Sequence, residues 1–220
     1  MSLPGEEATV GKSPQTSQGQ DWKPAKVKQH RRDLQDVILE LVPGRWRRLL
    51  WSKVGGGRLL EVGVGTGMNT AYYPPEAAVV AVDPSPSYLA RAANRARKDG
   101  KAVEFGIMDA QRLGFADDAF DCVATSFVFC SVPDPIAGLT EVRRVLKPGG
   151  RLILLEHVRS DWGPLGWLMD LLNPPWLRLS GDNINRDTVA NLQRAGFQVV
   201  AVDSLAAGLV KLIEARKESQ

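Results

Sequence analysis

A doubly wound α/β domain with a mostly parallel sheet is the fold class that this sequence predicts, and three observations carry the prediction. A short apolar run, Leu59 to Val64, leads straight into glycines at alternate positions, Gly63, Gly65 and Gly67, the pattern of a strand that ends in a tight turn and hands on to a helix. Further apolar runs of strand length then alternate with segments of helical spacing, as the crossovers of a parallel sheet require. The second run, Ala77 to Val82, closes on Asp83-Pro84. In a doubly wound sheet the carboxyl ends of neighbouring strands face the ligand crevice.

Length and composition bound the rest. A chain of 220 residues, 44% apolar and 24% charged, has the make-up of a soluble globular protein, one domain with a tail. No run approaches the ~18 apolar residues of a membrane span, and the first twenty residues lack the apolar stretch of a secretory signal. The expected location is therefore cytoplasmic. Cys122 and Cys130 fall on or near one strand; at roughly 3.3 Å per residue they stand some ~26 Å apart, beyond a disulfide. They are expected to be free thiols, and with no Cys/His cluster at metal-ligand spacing no metal is expected. The net charge of +3 owes much to Trp22–Arg32, where five cations stand without an acid. A patch for nucleic acid or an anionic surface and a solvated tail are both open there.

The elements follow in order. Residues 1–32 read as a polar tail, and the Ser-, Gly-, Gln-, Thr- and Pro-rich first twenty cannot bury enough apolar surface to offset their ordering entropy, so disorder is expected. Residues 33–55 read as two short helices over the core. In the first, Leu34, Val37, Ile38, Leu41 and Val42 follow Asp33 as N-cap. The second, Arg45 to about Lys53, begins after Pro43-Gly44 with Trp46, Leu49 and Leu50 on one face. Its Arg-Trp-Arg-Arg-Leu-Leu-Trp character suits a membrane interface as well as a lid. Residues 56–220 form the core. Ser87–Lys98 is a helix with Leu89, Ala92 and Ala93 inward and Gly100 as its stop. Val103–Met108 is a third strand, closing on Asp109-Ala110, and Cys122–Phe129 a fourth, with Ser126 towards its end. Asp134 caps a helix running to Leu146, and Arg151–Val158 is the fifth strand. Residues 161–183, with their tryptophans and Pro174-Pro175, depart from regular alternation. Asn185–Ala195 is a last helix, and 197–204 with 209–216 are the two closing strands of a seven-stranded sheet.

The glycine turn offers backbone N–H groups to a nucleotide-type ligand, and spacing narrows which one. A dinucleotide fingerprint needs glycine at Met68 or Thr70, and a P-loop needs Gly-Lys-Ser/Thr where Gly67 is followed by Met68-Asn69. Asp83, twenty-two residues beyond Glu61, is placed to accept both hydroxyl protons of a ribose, or to cap the next helix.

The remaining pattern, Glu61-x-Gly63-x-Gly65-x-Gly67, resembles motif I of the class I S-adenosylmethionine-dependent methyltransferases. Arg144-Val-Leu-Lys-Pro-Gly-Gly-Arg151 resembles the family's later signature, with Asp83 and Asp109 between them in the right order. From about Arg58 to Arg216 the chain is similar to the small-molecule branch: ubiquinone/menaquinone C-methyltransferases, bacterial phospholipid N-methyltransferases and the methyltransferase-like thiol S-methyltransferases. The last resemblance rests on Tyr73-Pro-Pro75, Asp83-Pro-Ser-Pro86, Cys130-Ser-Val132, Glu156-His-Val158 and Gly181-Asp-Asn-Ile-Asn-Arg186. Those thiol enzymes begin with a hydrophobic anchor, where this chain has a polar tail.

The resemblance implies a Rossmann-like fold with one antiparallel strand at the sheet's edge. It implies S-adenosylmethionine as cofactor, held by Glu61, Gly63, Gly65, Gly67, Asp83, Pro84, Asp109, Ala110 and Ser126, with Asp109 on the adenine amine and Ala110 beside the ring. It puts Cys130, Ser131, Trp167 and Trp176 around a small-molecule or lipid-like acceptor, a thiol, amine or quinol. His157, at the end of the fifth strand, is the candidate base; the alternative is a structural histidine. Peripheral membrane contact is compatible with the chain, and nucleic acid is disfavoured. Asn173-Pro174-Pro175-Trp176 matches the base-gripping motif of nucleic-acid amino-methyltransferases, but falls after the fifth strand rather than the fourth. A nicotinamide oxidoreductase and a non-catalytic scaffold are the competing classes.

Overall fold

The computed structural model describes residues 42–180 and 182–219. The polar tail and the helix expected from Asp33 lie outside these residues, apart from Val42 at its end. The apolar runs pair into one seven-stranded sheet: β1 (Gly57–Val62), β2 (Ala77–Asp83), β3 (Val103–Ile107), β4 (Phe120–Ser126), β5 (Leu146–His157), β6 (Gln198–Leu205) and β7 (Val210–Arg216). The order is β3-β2-β1-β4-β5-β7-β6. β1 to β5 pair in parallel, while β7 pairs antiparallel with both β5 and β6. The antiparallel strand thus lies one place in from the edge, with β6 outermost. A link of only four residues, 206–209, makes β6 and β7 a hairpin. Between the two, β7 buries Leu212, Ile213 and Ala215, while β6 leaves Val200 and Val202 exposed. The more apolar strand takes the inner position.

Among the described residues, five helices cover the sheet: α1 (Gly44–Ser52), α2 (Pro86–Lys98), α3 (Pro135–Val145), α4 (Gly163–Ser180) and α5 (Thr188–Arg194). Three begin on side-chain caps, from Ser85, Asp134 and Asp187, each serving an amide that the first helical turn leaves unpaired. Strand alternation separates two cores. Leu60, Val62, Val123, Leu152 and Leu154 face Leu139 and Val142 of α3 and Leu192 of α5. On the other face, Leu59, Ala124, Ile153 and Leu155 face Leu50 and Trp51 of α1, with Leu89 and Ala92 of α2 beside them against Ala81.

Two segments differ from their sequence-based reading. The glycine turn is not followed by an α-helix: after successive tight turns comes a single 3₁₀ turn, Thr70–Tyr72. Pro74-Pro75 stops further winding, so the cradle is made of turn amides rather than a helix N-terminus. Residues 161–183, by contrast, contain a regular 18-residue helix, α4, with Pro174 and Pro175 inside it. Met169 is buried and Leu165, Asn173 and Trp176 are half-buried, which is helical spacing. The carbonyls that the two prolines deprive of donors belong to Asp170 and Leu171, both exposed, so water can serve them.

Candidate cofactor and acceptor site

Gly63, Gly65 and Gly67 all adopt positive φ, at 73°, 54° and 79°. Each does so against different surroundings. A Cβ on Gly63 would lie 2.4 Å from Val128 Cγ2 and one on Gly67 2.7 Å from the Ala92 Cα, whereas one on Gly65 would meet nothing within 4 Å. The outer two glycines are therefore needed for packing, and the middle one faces the open crevice.

Asp83, only 6% exposed, ties this turn to the next. Its Oδ2 accepts from Gly65 N (3.0 Å) and its Oδ1 from Ser85 N (2.8 Å). Ser85, not Asp83, caps α2, so the carboxylate ties the two loops together, with Pro84 between them. The Asp83 carbonyl accepts from Met108 N (3.3 Å), which brings Asp109-Ala110 alongside. Asp109 folds back on Gln111, accepting from its backbone N (2.8 Å) and from its side-chain amide at 3.2 Å on each oxygen. Ala110 is buried beneath.

Glu61 sits on the same sheet face and is fully buried. Its Oε1 accepts from Asn69 Nδ2 (2.5 Å) and its Oε2 from the Tyr73 hydroxyl. Asn69 Oδ1 in turn accepts from Arg47 Nη1 of α1 (2.8 Å). Burial pushes the Glu61 carboxyl up to about 7 against the opposing pull of these donors and of Arg47. A carboxylate in an apolar strand must find partners; the sequence identified the residue but not Asn69, Tyr73 or Arg47. The only available signal was the buried position of Glu61 itself, which requires donors without naming them.

On the acceptor side, β4 ends at Ser126, whose Oγ is buried without a hydrogen-bond partner. Phe127 takes φ +58°, and the chain turns through Val128–Val132. Cys130 is buried, and burial drives its thiol well up, which removes it as a nucleophile at neutral pH. Ser131 is exposed, its Oγ donating to Val128 O (2.9 Å). Both cysteines are free.

His157 shares the face of Glu61 and Ser126, being an odd number of residues from the opposite-facing Leu152 and Leu154. Its Nδ1 is buried with no hydrogen-bond partner, and burial lowers the pKa of the imidazole, the Ile184 backbone acting weakly the other way, so the neutral ring is favoured. Trp176 is half-buried on α4, but Trp167 is 65% exposed on that helix's outer face and is not gathered with Cys130. Asn173-Pro-Pro-Trp176 lies within α4, its asparagine bonded to Asn183 and Ile184 rather than offered to a base.

The residues present fit an adenosyl cofactor on two observations: the open side of Gly65 and the unpartnered Ser126 hydroxyl across the crevice. A family model described as a methyltransferase domain matches residues 60–154. A demethylmenaquinone methyltransferase of Beutenbergia cavernae is 33% identical over 85% of this chain and 86% of its own length. A phosphatidylethanolamine N-methyltransferase of Cereibacter sphaeroides is 40% identical over 50% of this chain and 55% of its own. Thiol S-methyltransferase TMT1B of Rattus norvegicus is 37% identical over 66% and 62%. The chain thus spans little more than half the length of the second of these and under two thirds of the third. Among solved structures, a methyltransferase from Bacillus halodurans superposes with a TM-score of 0.69 at 20% identity, over 80% of this chain and all of the other; that likeness bears on the fold. The chain belongs to the class I S-adenosylmethionine-dependent methyltransferases, and S-adenosylmethionine is the cofactor that goes with that family.

Proposed function

We propose that the chain transfers a methyl group from S-adenosylmethionine to a small lipid-like acceptor, a thiol, amine or quinol, that it meets at a membrane surface. The observation that carries the membrane part is α4. Its solvent stripe is Pro164, Trp167, Leu168, Leu171, Leu172, Pro175 and Leu179, all exposed, with Arg178 at one end. An outward face of this kind, rich in Trp and Leu, is the reverse of what water selects. On the same rim of the sheet, Trp46 and Leu49 of α1 meet Leu205 in a shallow groove beside Arg45, and Arg48 is exposed nearby. Apolar surface with flanking cations suits an anionic bilayer. Among the described residues no helix is long and apolar enough to cross a membrane. The names of the relatives support the acceptor classes.

Bound in the crevice, the cofactor supplies a sulfonium-activated methyl group, so the protein's share is alignment, exclusion of water and, for a protonated nucleophile, a proton acceptor. The turn from Gly63 to Gly67 holds the methionine end, Asp83 the ribose and Asp109-Ala110 the adenine. Cys130 and Ser131 line the approach by backbone and small side-chain contacts, with Trp176 towards the roof. His157, half-buried at the end of β5, is the candidate to take a proton from an acceptor.

Two outcomes test this reading. Asp83→Ala should weaken S-adenosylmethionine binding by about 1.5–3 kcal/mol, the loss for a hydrogen bond to a charged group; unchanged affinity by calorimetry removes Asp83 from the ribose. Trp167→Ser with Leu171→Ser changes only exposed positions, so folding should persist while co-sedimentation with phosphatidylglycerol-containing vesicles falls about tenfold or more. Release of S-adenosylhomocysteine against a panel of thiols, amines and quinols, with and without vesicles, then identifies the nucleophile. Absence of release with every acceptor would favour a scaffold.

A further inference from the structure

Glu156, the penultimate residue of β5, is fully buried on the opposite sheet face from Glu61, and the transfer reaction makes no direct use of it. Its Oε1 accepts from Val128 N (2.9 Å), Phe129 N (3.1 Å) and Thr125 Oγ1 (3.4 Å), while its Oε2 is buried with no hydrogen-bond partner. Two successive N–H groups of the turn after β4 thus close on one carboxylate oxygen. Burial of such groups without a partner is costly, so this is what allows the turn to leave the ladder at Phe127 with a left-handed φ of +58°. From the other side, Asn183 N donates to Cys130 O (2.9 Å).

The same turn touches the glycine cradle. Val128 lies where a side chain on Gly63 would be, its Cγ2 2.4 Å from the position of a Cβ there. One residue therefore sets both the direction of Cys130-Ser131 and the contact between acceptor loop and cofactor loop.

We propose that Glu156 is a positioning residue: by gathering the amides of Val128 and Phe129 it holds the acceptor-side turn against Gly63, at the distance that methyl transfer requires. This rests on the reading that the cofactor lies on the glycine turn. Alignment errors of about 1 Å can lower a rate about 100-fold, so the effect belongs in kcat rather than in cofactor affinity.

The test compares Glu156→Gln, which keeps an acceptor oxygen, with Glu156→Leu, which keeps volume but no acceptor. Amide hydrogen exchange, S-adenosylmethionine affinity by calorimetry, and kcat and KM by S-adenosylhomocysteine release are the readouts. Glu156→Leu should lose protection at Val128 and Phe129 and lose kcat by about 100-fold, with cofactor affinity held within about threefold. Glu156→Gln should restore both protection and kcat to within severalfold of wild type. If the leucine variant does not fold, the glutamine variant together with Glu156→Asp, whose shorter arm withdraws the acceptor, gives the same contrast. Equal protection and kcat in all variants would overturn the proposal, as would a glutamine variant as impaired as leucine. Failure of the cofactor reading looks different: wild-type protein would then show no S-adenosylmethionine binding, while the exchange data would still decide whether Glu156 holds the turn.

Discussion

Gly67→Ala is expected to destabilise the fold by about 2–5 kcal/mol and to abolish cofactor binding with it. Two costs add at this position. At φ +79° an L-residue pays roughly 1–2 kcal/mol, and the new Cβ would stand 2.7 Å from the Ala92 Cα. That neighbour is helix backbone and cannot swing aside as a side chain tip would; overpacking of this kind costs about 1–3 kcal/mol. For a chain of this length each kcal/mol lowers Tm by about 2–4 °C, so thermal unfolding by circular dichroism checks it. Gly65→Ala separates packing from binding. Its φ of +54° is within the left-handed region that alanine tolerates at modest cost, and its Cβ would meet no protein atom. Stability should fall by only about 1 kcal/mol, while S-adenosylmethionine affinity drops about tenfold or more through the methyl group placed in the crevice. A Gly65→Ala protein that binds as wild type does would move the cofactor away from this turn.

These two glycines also show what the sequence made legible. Their spacing after an apolar run was enough to place a turn at the carboxyl end of β1, and Asp83 was identified as its counterpart because the second strand stops where the first does. Local patterns of this sort survive folding, since a strand and its turn involve residues adjacent in the chain. The segment after the turn misled because Met68–Tyr73 holds no glycine or proline to break a helix, and only Pro74-Pro75 signals that there is no room for one. In α4 the error ran the other way, with two prolines outweighing a helical spacing of buried positions that they did not in fact interrupt. Least legible were partnerships across the fold. Nothing near Glu61 announces Arg47, fourteen residues earlier, because they meet through Asn69 only once α1 packs on the sheet; nothing near Glu156 announces the amides of Val128 and Phe129, because those contacts exist only once β4 and β5 lie side by side.

Glu61 yields the second large effect, in the dependence of stability on pH. Burial lifts its folded pKa to about 7, above the ordinary carboxyl value of 4.5, so the folded state holds a proton that the unfolded chain releases between those values. The stabilisation is complete below about pH 4.5 and is lost as pH rises through 7, a difference on the order of 3 kcal/mol. Glu156, raised to about 7 by burial as well, acts in the same direction. His157, lowered by burial, opposes them below its unfolded pKa near ~6.5, while Asp121 and Glu141, lowered by their cationic partners, act at more acid pH. The groups around Glu61 do not titrate in this window: Arg47 remains charged, and burial raises the Tyr73 phenol far above it. The comparison that isolates the residue is therefore wild type against Glu61→Gln. The two proteins should melt together near pH 4, and the glutamine variant should melt about 6–12 °C higher at pH 8. A cationic sulfonium cofactor beside Glu61 favours its ionised form. Binding near pH 6.5 should then release a fraction of a proton from wild type and none from Glu61→Gln, measurable by calorimetry in buffers of different ionisation enthalpy. Equal proton release from both proteins would place the cofactor's positive end out of reach of Glu61 and leave that carboxyl the task of holding Asn69 and Tyr73.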